Sequence, residues 1–252
     1  MRLALVGVGR MGKAVEALAP EYGNRVVAWL DSSSHEDGRG MTAMLTSQAE
    51  VAIEFTASSA VVENVRSATG VGLDVVVGTT GWYERLDEVE AIVEASGRGL
   101  IYAPNFSLGV HAFLRLAREA ARLADRMPDY DVHLAEAHHR HKSDHPSGTA
   151  RRLADVLLEE LTRKKRWSEL LPDGTLDPDV LQVSVTRAGE EPGMHVVGLD
   201  GPDDRIEIRH RARSRSGFAR GALVAAGWIR GRQGLFTLDD MLAEPLGQED
   251  ET

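Results

Sequence analysis

The sequence predicts an α/β protein. It reads as an N-terminal Rossmann-type doubly wound parallel sheet followed by a second α+β domain on a mostly antiparallel or mixed open sheet. Three observations carry this. Short apolar runs alternate with amphipathic stretches from Met1 to about Leu108, a GxGxxG follows the first run, and beyond about Arg126 the apolar residues recur with period two. In order, Leu3 to Val6 reads as a strand, Met11 to Ala19 as a helix and Val26 to Leu30 as a strand. Strands over Val51 to Phe55, Asp74 to Val77 and Gly99 to Tyr102 follow, separated by helices from about Ser59 and over Leu86 to Ala95. A helix from about Val110 to Arg126 opens the second part, where Val183 and Val185, then Ile206, Ile208, His210 and Ala212, alternate as half-buried strands do. A helix starting near Ser147 to Thr149 carries the apolar stripe Leu153, Val156, Leu157 and Leu161. The tail, a helix over Phe218 to Arg230 and then GLFTLDDML, is expected to return to the first domain. The expected boundaries are residues 1–108 plus about 215–252 for the first domain and 109–214 for the second, with hinges near Leu108 and Ser214. No internal repeat or low-complexity segment breaks this plan, and only the terminal GQEDET reads as frayed.

A chain of 252 residues, 42% apolar and 27% charged, is globular in composition and long enough for one large domain or two small ones. The opening MRLALVGVGRMGKAV is too short an apolar run, too soon broken by glycine, for a signal peptide or a spanning helix, so a cytoplasmic location is expected. Without any cysteine there are no disulfides, thiolate metal sites or cysteine nucleophiles, and redox chemistry needs a bound cofactor. A net charge of −10 argues against nucleic acid as partner, so an anionic substrate requires a local basic pocket.

Gly7-Val8-Gly9-Arg10-Met11-Gly12 stands directly after the first strand and opens a helix, the context a dinucleotide fingerprint needs. Its glycines allow a tight turn and close approach of a pyrophosphate, towards which the helix start turns its N–H groups. The alternative is a glycine-rich turn that only packs helix on strand. Asp31, at the end of the next strand, suits the adenosine ribose hydroxyls and repels the extra phosphate of NADPH, which favours NADH; the alternative is a solvated turn carboxylate. Ser32, Ser33 and Ser34 stand where an NADPH-selective site often has arginine, yet their hydroxyls with Arg10 and Lys13 leave dual use open. Phe55-Thr56 and Gly78-Thr79-Thr80-Gly81 also follow strands, where ligands bind in open α/β sheets, although the second is a common turn composition.

The stretch Glu136-Ala137-His138-His139-Arg140-His141-Lys142-Ser143-Asp144-His145-Pro146-Ser147-Gly148-Thr149 gathers cationic and titratable groups in an acidic protein. Imidazoles and an ammonium stand just ahead of a helix whose first N–H groups, around Ser147, Gly148 and Thr149, can bind a carboxylate. A histidine can donate a proton near neutral pH, and a lysine can donate one or neutralise charge. Two other readings compete: a divalent metal site from His138, His139, His141 and His145, which lacks the HExxH spacing, and a solvated basic loop.

These residues, with FT at Phe55, GTTG at Gly78, PNFSLGV at Pro104, TRAG at Thr186, IEIRHRARSRSGFARGA at Ile206 and the final GLFTLDDML, resemble the dihydrodipicolinate reductase family nearly end to end. The resemblance implies hydride transfer from NADH or NADPH to a cyclic dicarboxylate on the lysine and diaminopimelate pathway, without a metal. It implies His138 as proton donor or acceptor, Lys142 as second donor, and His139, Ser147, Gly148 and Thr149 as binders of the substrate carboxylates. It further implies cofactor contacts from Gly7 to Gly12, Asp31, Gly78, Thr79, Thr80, Ala103, Pro104, Asn105 and Phe106, with Phe55 and Thr56 lining the site. Members of that family are usually homotetramers joined through the second domain, and Arg215 matches an arginine at their domain junction. The turn at Gly7 is one residue shorter than the commoner GxxGRMG and the stretch from Asp31 to Val51 is reduced, so cofactor preference stays open. Another Rossmann reductase of small acids and a non-catalytic dinucleotide sensor are the alternatives.

Overall fold

A computed structural model describes residues 1–31, 48–214 and 216–244. The chain divides into two compact units, Met1–Ser107 with Ser216–Thr252, and Leu108–Arg215.

The first unit holds β1 (Arg2–Val6), α1 (Arg10–Leu18), β2 (Arg25–Leu30), β3 (Val51–Glu54), α2 (Val61–Gly70), β4 (Asp74–Val77), α3 (Leu86–Ser96) and β5 (Gly99–Tyr102). Its central strands β3 and β4 are short and buried from end to end, as parallel strands covered on both faces must be, whereas the edge strand β2 is partly exposed. The order β11-β5-β4-β3-β1-β2 reverses direction at β1, where β2 lies on one side and β3 on the other, and every recorded pairing is parallel. The sixth strand, β11 (Gly234–Thr237), reaches the sheet by way of α6 (Ser216–Ile229) and pairs with β5; α7 (Leu238–Ala243) follows it. Asp74 ties this return down. Its carboxylate accepts from the Gly99 N–H at 3.0 Å and from the Gly231 N–H at 2.7 Å, joining β4, β5 and the turn before β11.

The second unit holds α4 (Leu108–Asp125), β6 (Asp131–His138), α5 (Gly148–Glu160), β7 (Arg166–Ser168), β8 (Val180–Arg187), β9 (Met194–Asp200) and β10 (Arg205–Arg211). Its sheet, ordered β10-β9-β6-β8-β7, is mixed: β9 runs antiparallel to both its neighbours, while β6, β8 and β7 are parallel. Helices α4 and α5 cover one face. There Phe113, Ala117, Ala121, Leu153 and Leu157 pack on Val132, Leu134, Leu181, Val183, Val197 and Leu199. Strands β6 and β9 stand out less in the sequence, because β6 turns polar halfway and β9 is buried on both faces. Ser32, Ser33, Ser34, Arg215 and the terminal GQEDET lie outside the described residues.

Candidate active site

In the first unit the loops after β1, β3, β4 and β5 all leave the same edge of the sheet, because parallel strands share their carboxyl ends. The loop after β1 is held by two backbone bonds, Gly7 N–H to the Leu30 carbonyl and Phe55 N–H to the Val6 carbonyl, each 2.8 Å. Gly7 adopts φ +97°, and a Cβ there would stand 2.2 Å from the Phe55 carbonyl oxygen, so only glycine fits. Gly12 lies against the Gly7 carbonyl in the same way and lets α1 close on the loop, whereas a Cβ on Gly9 would meet nothing within 4 Å. Gly9 is the N-cap of α1 and no side chain caps that helix, so its first N–H groups are left for a ligand or solvent to meet. That is the cradle a pyrophosphate needs, and the residues fit a dinucleotide. Val8 and Met11 are half-buried, and Arg10 and Asp31 are exposed.

Beneath the neighbouring loops lies Glu54, the last residue of β3 and 1% exposed. One of its oxygens, Oε1, accepts from the Thr56 N–H at 3.0 Å, the Thr56 hydroxyl and the Asn64 amide at 3.2 Å. Thr56 N–H also reaches the Thr79 hydroxyl at 2.7 Å, which links the loops after β3 and β4. Burial raises the Glu54 carboxyl above the usual carboxylate range, and its hydrogen bonds only partly offset this. The Phe55 ring leaves no room for a side chain at Gly78, where a Cβ would stand 2.0 Å from it. Thr80 and Pro104 are exposed; Ala103 and Phe106 are buried, and Asn105 Oδ1 accepts from the Ser107 N–H at 2.7 Å.

In the second unit Val132, Leu134, Glu136 and His138 alternate on one face of β6, so the core face of the strand ends as a polar site. Register brings the partners: Glu136 stands opposite His195 of β9, and His138 opposite Arg187 of β8. Glu136 Oε1 accepts from Arg187 Nη2 at 2.7 Å and from the Ser147 N–H at 3.0 Å. Its Oε2 lies 3.5 Å from His138 Nδ1 and 3.4 Å from His195 Nε2 without a well-aligned hydrogen bond. Ser147 caps α5, its hydroxyl accepting from the Ala150 N–H at 3.1 Å and standing 3.1 Å from His195 Nε2. The two leading N–H groups of α5, on Gly148 and Thr149, have no carbonyl within the helix to meet. Gly148 is exposed and a Cβ there would meet nothing within 4 Å, so an anion has free approach. His139 is half-buried beside this strand end, and Lys142 pairs with Asp144 at 2.6 Å.

Burial pushes the His138 imidazole down to about 4, with Glu136 opposing and His195, Lys142 and Arg187 reinforcing. Burial also pushes Glu136 up, but the neighbouring His195, Ser147 and Arg187 outweigh it and hold that carboxyl far below the usual range. Glu136, His138 and His195 bring three donor atoms within 4.8 Å of one another, yet the guanidinium already on the carboxylate repels a second cation. His141 and His145 do not join that group; they are exposed and lie beside Glu190 and Glu169. The structure thus brings His138, Ser147 and the start of α5 together, with Lys142 turned to Asp144. Sequence reasoning gave no role to Glu136, Arg187, His195 or Glu54. The one signal available was the two-residue spacing of Glu136 and His138, which puts both on one strand face.

A parallel sheet with a glycine cradle at its reversal point, and a second unit with a buried acid–base cluster beside an anion-ready helix start, define a nucleotide-dependent reductase of small acids. Family models described as dihydrodipicolinate reductase, N-terminus, and dihydrodipicolinate reductase, C-terminus, match residues 1–106 and 109–242. The chain belongs to the dihydrodipicolinate reductase family. It is 35% identical over 244 residues to the 4-hydroxy-tetrahydrodipicolinate reductase of Christiangramia forsetii, covering 97% of this chain and 98% of the relative. The protein of that name from Methanosarcina mazei is 36% identical over 245 residues, covering 95% and 88%. Among solved structures, a dipicolinate-bound dihydrodipicolinate reductase from Paenisporosarcina sp. TG-14 shares the fold with a TM-score of 0.77 at 22% identity, covering 94% of this chain and 97% of that one. Among the described residues no helix is long and apolar enough to cross a membrane.

Proposed function

We propose that this chain reduces 4-hydroxy-tetrahydrodipicolinate to tetrahydrodipicolinate with NADH or NADPH, in lysine and diaminopimelate biosynthesis. One observation carries the reading beyond family membership: the buried Glu136–His138–His195 cluster stands beside an anion-ready helix start, as reduction of a dicarboxylate requires. Gly7 to Gly12 and Asp31 hold the dinucleotide, and the loops at Phe55-Thr56, Gly78 to Thr80 and Ala103 to Phe106 line its nicotinamide half. When bound, the nicotinamide supplies the hydride.

The chain's own residues do the rest. The N–H groups of Gly148 and Thr149, with His139 and Ser147, orient the substrate carboxylates, which converts proton transfer into a positioned step. Lys142 exchanges Asp144 for substrate charge and offsets the negative charge that grows during reduction. His138 is neutral at pH 7 in the free protein, and a dianion seated nearby raises its affinity for the proton that it then delivers. The units are assigned accordingly: residues 1–108 and about 215–252 bind nucleotide, and 109–214 bind substrate. The face of the second sheet away from α4 and α5 is the surface through which we expect a homotetramer, to be checked by sedimentation. A cytoplasmic location follows from the same pathway.

The test is loss of nicotinamide absorbance on mixing the protein with freshly generated substrate, with NADH and NADPH in parallel. Turnover that favours NADH is expected from the Asp31 charge. His138→Gln is expected to lower kcat by about 10²- to 10⁴-fold while NADH still binds. Unchanged turnover in that variant would remove His138 from the donor role.

A further inference from the structure

We infer that Glu136 is a positioning residue that couples the ring of His138 to the carboxylate-binding start of α5, through His195 and Ser147; this rests on the reading of His138 as proton donor. A carboxylate needed only to hold Arg187 would use one oxygen and leave the other indifferent to its surroundings. Here Oε1 takes Arg187 and the Ser147 N–H, while Oε2 faces His138 Nδ1 and His195 Nε2 together, in a side chain that is 0% exposed. The two imidazoles meet edge to face with ring centres 5.2 Å apart, so each packs against the other beside the shared carboxylate. His195 Nε2 in turn lies 3.1 Å from the hydroxyl that caps α5. A single carboxylate therefore touches the proton donor on one side and the anion site on the other.

The direction of the coupling follows from the geometry. With Nδ1 facing the Glu136 carboxylate at 3.5 Å, that carboxylate favours a proton on Nδ1 over one on Nε2, which leaves Nε2 as the working atom. Gly193 packs beside that atom: it adopts φ +152°, and a Cβ at this position would crowd His138 Nε2 at 3.0 Å. When a dianion occupies the start of α5, His138 takes up a proton at Nε2, and the loose 3.5 Å contact at Nδ1 tightens to a charge-assisted hydrogen bond. The charged and titratable groups facing His138 are Glu136 on its own strand, Arg187 on β8, His195 on β9, and Lys142 and Glu191 on the adjoining loops. Glu136 favours the protonated ring; Arg187, His195 and Lys142 oppose it.

The experiment compares Glu136→Gln, Glu136→Asp and His195→Asn with the parent enzyme in three readouts: the pH profile of kcat/KM, the split between kcat and KM, and the nitrogen-15 shifts of His138. In Glu136→Gln we expect kcat to fall about 10- to 100-fold. Its alkaline limb should move to lower pH, because the charge that helps His138 hold a proton is gone, and the proton should shift away from Nδ1 in the ligand-free protein. Glu136→Asp should recover part of each change. His195→Asn should act on the other arm, raising KM for the substrate more than it lowers kcat. A Glu136→Gln enzyme with the parent pH profile and parent His138 shifts overturns the proposal and leaves Glu136 a structural ion-pair partner. Should Glu136→Gln fail to fold, Glu136→Asp and His195→Asn decide by the same readouts. Full turnover in His138→Gln would instead overturn the donor reading, whereas the nitrogen-15 shifts would still report whether Glu136 sets the proton position on that ring.

Discussion

Two glutamates, one in each unit, are buried almost completely and go opposite ways. Glu54 sits among hydroxyls and an amide, from Thr56, Thr79 and Asn64, and burial raises it so that its protonated form gains. Burial bears on Glu136 too, but Arg187, His195 and Ser147 surround it and hold it ionised far into acid. Burial sets how much is at stake, and the neighbours decide the sign. The first unit thus carries a buried group suited to neutrality, while the second carries a buried carboxylate held ionised beside a helix start.

The largest test of this contrast is Glu136→Leu, which strands Arg187. We expect a loss of about 3–5 kcal/mol in urea unfolding. Pairing it with Arg187→Met should recover much of that, because a well-packed apolar pair avoids the desolvation of both charges. A single variant within about 1 kcal/mol of the parent would mean that this cluster holds nothing in place.

Acid gives the next effect. His138 has its folded value lowered from 6.5 to about 4, so the stability it contributes is fully present above pH 6.5 and is lost as pH falls towards 4. Unfolding followed from pH 7 to pH 4 should show a loss of up to a few kcal/mol that disappears in His138→Gln. Equal slopes for parent and variant would contradict the lowered value.

The smallest effect belongs to Glu54 and has the other sign. A raised carboxyl contributes stability that is fully present below its unfolded value of 4.5 and is lost as pH rises through the folded one. Glu54→Gln cannot ionise, so it should match the parent near pH 4.5 and become the more stable of the two as pH rises to 8. If it is instead less stable at pH 8, Glu54 is held as an anion and the contrast fails.

Much of the first unit was legible in the sequence because parallel strands buried on both faces leave continuous apolar runs, such as Leu3 to Val6 and Val75 to Val77, each followed by glycine. The second unit was legible as a motif but not as a structure. The core-facing series of β6 changes from Val132 and Leu134 to Glu136 and His138, so the apolar period stops where the site begins and the strand hides inside its own chemistry. Helix α5 announced itself through Ser147. Arg187 and His195 did not, since they reach the site by register across β8 and β9, a relation that spacing along the chain does not carry. The same holds for Glu54, whose partners Asn64 and Thr79 come from α2 and the loop after β4.

The path of the chain through the parallel sheet also bears on how the protein is born. Strand β5 has no neighbour on its outer side until β11 arrives, and one oxygen of the Asp74 carboxylate waits for the Gly231 N–H. On the ribosome, where segments emerge at roughly 5–20 residues per second, the contiguous unit Leu108–Arg215 is complete several seconds before its older neighbour can be. The part made first is finished last, and a stalled nascent chain lacking β11 would expose the edge of β5 to any strand able to pair with it.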